Sequence, residues 1–140
     1  MNFYNITRII KMTFAAVGGF MSYIFGGFDS LLIALLSLMV LDYISGITKA
    51  IYNRKLNSHI GFKGLLKKVM IILVIVLVSV LQKALSGAVP LRDIVLMFYI
   101  ANEGISIIEN LGTVIPIPEK VKQFFEQLQS NEDDEDKENK

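Results

Sequence analysis

Four apolar runs, about residues 10–28, 30–51, 66–86 and 92–111, occupy most of this 140-residue chain. A helix crosses the ~30 Å hydrocarbon core of a bilayer with about 20 apolar residues at 1.5 Å each. Three such crossings and a tail fill the chain, and four nearly exhaust it, so no room remains for a soluble catalytic domain. Composition agrees: 53% of residues are hydrophobic and 19% charged, where a soluble domain would carry about a quarter charged. The expected fold class is an all-α integral membrane protein. Residues 1–118 hold three to four transmembrane helices, 119–129 a juxtamembrane amphipathic helix, and 130–140 a disordered acidic C-terminal tail.

The first run follows Arg8 and Lys11 and is uncharged from Met12 to Phe28, with Gly18-Gly19 and Gly26-Gly27 inside it. Seventeen residues are at the short end of the spanning range, so it reads as a short first crossing or an interfacial helix. The second run, from Ser30, is almost purely Leu, Ile, Met and Val until Asp42. That carboxylate lies about 18 Å from Ser30 along a helix. Gly46, one turn on, puts a notch for helix packing on the same face. Residues 52–68 read as a polar basic connection with a turn at Gly61 and Gly64. Between Lys49 and Lys83 stand seven Lys or Arg and no acid. The positive-inside rule therefore puts Arg54, Lys55, Lys63, Lys67 and Lys68 on the cytoplasmic side, against anionic headgroups. Only 14 residues separate Lys68 from Lys83, so both lysines are expected to snorkel out of the bilayer.

The fourth run carries a polar stripe. Tyr99, Asn102, Glu103, Ser106, Glu109 and Asn110 recur at three- and four-residue steps, which places them on one side of a 3.6-residue helix. Gly104 lies within the same run as a packing position. Glu103 is about 16 Å from Arg92, a depth close to that of Asp42 if both helices run inward. No basic residue is expected at that depth. Each acid should then be protonated, bonded to amides, or wetted by a cavity. Gly112 ends this helix, and Pro116 and Pro118 restart the chain. Val121, Phe124, Phe125 and Leu128 fall at i, i+3, i+4, i+7, an apolar face suited to the membrane surface. From Glu119 onward there are eight acids and four lysines, and the last ten residues read as disordered.

Catalytic chemistry finds little to work with. There are no cysteines and a single histidine, His59, so neither a thiolate nor a histidine metal site is available. No P-loop or dinucleotide fingerprint is present. No enzyme, cofactor, metal or nucleic-acid partner is expected. Intramembrane acids then serve as packing groups, as a conduction path, or as lining shared among several copies.

The chain resembles the phage lysis and toxin-secretion holin family, which includes holin-like proteins associated with clostridial large-toxin release. The likeness covers roughly Leu41 to Leu128. It is carried by Asp42-Tyr43 with Gly46, by Lys55-Leu56-Asn57-Ser58, by Ile60-Gly61-Phe62-Lys63-Gly64, and by Lys67-Lys68. It continues through Phe98-Tyr99-Ile100-Ala101-Asn102-Glu103-Gly104-Ile105-Ser106-Ile107-Ile108-Glu109-Asn110, then Gly112 and Pro116-Ile117-Pro118. His59 departs from the Lys or Arg more usual there, and the loop stays basic.

The resemblance implies a protein of the bacterial cytoplasmic membrane, multi-pass with a cytoplasmic C-terminus. It would oligomerise with itself into lesions through which an endolysin or a toxin leaves the cell, without direct contact to that cargo. It carries over no catalytic residue. The intramembrane polar set of Asp42, Tyr99, Asn102, Glu103, Ser106, Glu109 and Asn110 is then a candidate pore lining. A small ion or proton channel, an accessory membrane subunit, or an antiholin-type regulator are the competing expectations.

Overall fold

The computed structural model describes residues 3–124, 126 and 127. Four helices follow one another: α1 (Phe3–Phe25), α2 (Ser30–Tyr52), α3 (Ser58–Ala84) and α4 (Leu91–Gly112). No strand occurs among the described residues. Three of the helices, α2, α3 and α4, are long and apolar enough to cross a membrane. α1 is not among them and has no buried residue; Asn5, Arg8 and Lys11 dilute its first half.

Local chemistry sets the boundaries. Between α1 and α2, Gly26 and Gly27 take φ of +73° and +114°, backbone that an L side chain would strain. Asp29 then caps α2, its side chain accepting from the Leu32 amide at 3.0 Å. Asn57 caps α3 in the same way through the His59 amide at 2.9 Å. That cap starts α3 eight residues ahead of the apolar run. The basic segment from Ser58 to Lys68 is therefore helix, and the turn expected at Gly61 and Gly64 does not form. Both glycines lie against Tyr43 of α2: a Cβ on Gly61 would be 3.5 Å from its hydroxyl, and one on Gly64 3.9 Å from its ring, both ordinary contacts. α4 ends at Gly112, and residues 119–124 begin a further helical segment. Val121 and Phe124 are exposed there. Phe125, Leu128 and the acidic tail from 130 lie outside the described residues.

α2 and α4 run side by side in the same direction, with α3 antiparallel to both. Asp29 and Arg92 meet at one end, and Asp42 and Asn110 toward the other. α2 packs far more extensively on α4 than on α3. The buried core is a single cluster of Leu32, Leu35, Met39, Ile71, Ile75 and Leu96. The spacing is helical: positions 32, 35 and 39 on α2, and 68, 71, 75 and 79 on α3. On α3 the two middle members are isoleucine, while the outermost are Lys68 and Ser79. The bundle is therefore layered along its length, with apolar packing in the middle and a buried polar layer at each end.

Candidate functional site: a buried ion cluster joining the three long helices

Lys68 is the centre of one polar layer. It lies ten residues into α3, about 15 Å from the start of the helix, and is only 7% exposed. Its ammonium donates to Asp42 Oδ2 of α2 at 2.7 Å and to Glu103 Oε2 of α4 at 2.5 Å. One cation thus joins all three spanning helices. Charge-assisted bonds of this length are the strong kind, and in a low-dielectric interior their geometry has to offset the cost of dehydrating three charges.

Asn110 extends the cluster. Its Nδ2 donates to Asp42 Oδ1 and to Ser45 Oγ, each at 3.2 Å. Its Oδ1 accepts from Lys49 Nζ at 3.4 Å. The Ser45 hydroxyl donates back to the Asp42 carbonyl at 3.0 Å. Gly46 lies beside this contact, where a Cβ would be 3.6 Å from Asn110 Nδ2, an ordinary packing distance. Glu103 is wholly buried, and its Oε1 has no hydrogen-bond partner among the described residues.

Two cavities flank the cluster. One, of about 370 Å³, opens between the C-terminal ends of α2 and α4 and the N-terminal end of α3, and reaches Asp42, Lys68 and Asn110. The other, of about 350 Å³, lies along α4 between Tyr99 and Glu109, beside Lys67. Ser106 borders both.

The expectation that no cation lies at the depth of the two acids is therefore wrong. Lys68 does not snorkel: with α3 starting at Ser58 rather than at the apolar run, Lys68 sits inside the bundle on the buried stripe of its helix. Of the polar residues singled out from sequence, Asp42, Glu103 and Asn110 come together. Tyr99, Asn102 and Ser106 are half-buried and Glu109 is exposed. Tyr99 packs against the core and edge-on to Phe98. Gly104 is buried within α4. Arg54, Lys55, Lys63 and Lys67 are exposed.

The other polar layer was not foreseen. Arg92, 4% exposed, donates through Nη1 and Nη2 to Asp29 at 2.5 and 3.1 Å. Nη1 also reaches Asp93 at 3.2 Å. Nε donates to the Phe25 carbonyl at 2.6 Å, and Nη2 to that of Gly27 at 3.0 Å. Ser79 donates to the Phe25 carbonyl at 3.1 Å. Lys83 donates to the Tyr23 carbonyl and sits 3.8 Å above its ring. Together these groups hold the α1–α2 turn against α3 and α4 and satisfy carbonyls at the end of α1 that a helix leaves open. The signal available in sequence was the i, i+11 spacing of Arg92 and Glu103, which puts both on one face of α4.

Asp29 lies just outside the spanning helices, and its carboxyl is held below its ordinary value of 3.8. The Arg92 hydrogen bond is the largest cause, opposed by partial burial. A carboxyl with a depressed native pKa stabilises the fold above its unfolded value and loses that contribution as pH falls through the native one. The turn at 26–29 is therefore expected to keep its amide-exchange protection at neutral pH and to lose it only below about pH 4. Asp29→Asn should show the weaker protection at every pH.

A family model described as the bacteriophage holin family matches residues 19–130. The match takes in both polar layers and the turn between α1 and α2. Among relatives, an uncharacterized protein encoded 3′ of nagH in Clostridium perfringens is 40% identical over 126 residues, covering 89% of this chain and 96% of its own. An uncharacterized protein of Listeria monocytogenes is 36% identical over 84% of each chain. The uncharacterized YqxH of Bacillus subtilis is 33% identical over 84% of this chain and 83% of its own. No solved structure matches.

Proposed function

The chain belongs to the bacteriophage holin family, and from that premise we propose that it gathers in the bacterial cytoplasmic membrane and assembles with itself into lesions that let an endolysin or a toxin out. The observation that supports this reading is the inward storage of charge. Asp42, Lys68, Glu103 and Asn110 are held inside a single subunit, where they cost the inserted protein no exposure to lipid. Separation of the three spanning helices would bring the same groups onto open helix faces. In an assembly of several subunits those faces can line water, whereas one subunit is too small to enclose a wide aqueous path.

The orientation follows from charge. Arg54, Lys55, Lys63 and Lys67 cluster at one end of the bundle, and the positive-inside rule puts that end in the cytoplasm. The C-terminus, leaving α4 at the same end, is then cytoplasmic too. The competing reading as a small ion or proton channel drew on two acids without a cation, and Lys68 removes that premise.

Expression of the chain alone is expected to collapse the membrane potential and halt growth after a delay. With a signal-less endolysin co-expressed, the culture should lyse; an endolysin retained in healthy cells would defeat the proposal. Glu103→Leu is expected to change the delay or abolish lysis while the amount of protein in the membrane fraction stays the same. Unaltered timing and permeability would show that this acid is dispensable.

A further inference from the structure

We propose that the 370 Å³ cavity at the inner end of the bundle binds the headgroup of one anionic phospholipid. α2 and α3 pack little on one another, and the cavity opens between them beside the Asp42–Lys68 bridge. Gly46, Gly61 and Gly64 line it without side chains to fill it. Its charged lining is Asp42, Lys49, Lys55 and Lys68. Lys68 already bridges Asp42 and Glu103, so those charges are engaged with one another.

Lys49 and Lys55 remain. Among the described residues neither forms a salt bridge, and Lys49 makes only the 3.4 Å contact with Asn110. The cavity is therefore lined by two lysines without a carboxylate partner. The first turn of α3, at Asn57, Ile60 and Gly61, forms the wall beside them and adds the positive end of a 27-residue helix.

The remaining wall decides which anion fits. Ile47, Leu56 and Ile60 border the same cavity, giving an apolar strip next to the cationic one. A free phosphate would leave that strip wet. A phospholipid covers it with its glycerol and upper acyl chain while the phosphate meets the lysines. The level is also right, because Lys49 lies in the last turn of α2 and Ser58 begins α3. These positions mark the end of both spans, where headgroups sit. The proposal needs membrane insertion but not lesion formation, so it stands or falls apart from the lytic reading.

The test uses the full chain in nanodiscs of equal phosphatidylglycerol and phosphatidylcholine. The protein is released into mild detergent, and retained lipid is counted by native mass spectrometry. The wild type is expected to keep one phosphatidylglycerol. Lys49→Gln with Lys55→Gln should lower that retention about thirtyfold, the effect of two lysines beside an anionic surface. Lys63→Gln with Lys67→Gln removes the same charge outside this cavity and should retain the lipid. Lys49→Arg with Lys55→Arg should retain it as well, which separates lost binding from lost folding. Equal loss in the two glutamine pairs would mean diffuse surface attraction and overturn the site. So would equal retention of phosphatidylcholine. Displacement by millimolar inorganic phosphate would overturn the lipid assignment in favour of a free anion.

Discussion

Lys68→Met is expected to destabilise the bundle by about 3–5 kcal/mol, because it strands two buried carboxylates without their cation. Asp42 and Glu103 have no other cationic partner among the described residues, and Glu103 is fully enclosed. The measurement is an SDS titration of the purified protein in mild detergent, followed by helical circular dichroism. A companion variant separates charge from packing: Asp42→Leu, Lys68→Met and Glu103→Leu together remove the whole cluster. Replacing a buried ion network by apolar groups of similar size is often neutral or stabilising. The triple variant should therefore recover most of the stability that Lys68→Met loses. It is nonetheless expected to insert without lysing cells, since the buried charges that would wet an opening are gone. Recovery of both stability and lysis would show that the cluster serves folding alone.

Arg92→Gln is the second large effect, expected at about 3 kcal/mol for the loss of a buried, multiply bonded charge. The guanidinium bonds two carboxylates and two backbone carbonyls, three of these partners within the turn at residues 25–29 and the fourth at Asp93. Arg92→Lys is expected to rescue little, because one ammonium cannot reproduce a planar fork that meets Asp29 with two nitrogens. The local signature is distinct from that of Lys68→Met. Amide exchange should rise at residues 26–29 and at the end of α1, while the Asp42 end of the bundle stays protected. Exchange that rises uniformly would mean that the two polar layers are one cooperative unit.

The membrane class and the intramembrane acids were legible in the sequence, because apolar runs of spanning length and polar residues at helical spacing are local patterns. The partner of those acids was not. Lys68 borders an apolar run, and the nearest simple explanation for a lysine there is escape to the headgroups. What decides otherwise is Asn57, whose cap starts the helix far enough upstream to carry Lys68 inward. A cap signal was present in Asn57, but Gly61 and Gly64 argued for a turn. Both lie inside α3, in contact with Tyr43 of α2. The Arg92 layer was hidden for a related reason. It depends on positive-φ backbone at Gly26 and Gly27 bringing two carbonyls to a side chain 65 residues or more away, and no pattern within one segment reports that.

Two polar layers on one helix also limit how the subunit can move. Arg92 and Glu103 stand eleven residues apart on α4, about 16 Å along its axis, and each is bound to neighbouring helices. A slip of α4 by one turn, about 5.4 Å, would carry both out of reach of their partners at once, with no intermediate position where either is satisfied. Gradual sliding is thereby closed to this bundle. The paths left are to stay in register or to part sideways, one end unfastening before the other. Parting at the Arg92 end has to break its bonds to Asp29, Phe25 and Gly27, and parting at the other end the bonds of both Lys68 and Asn110.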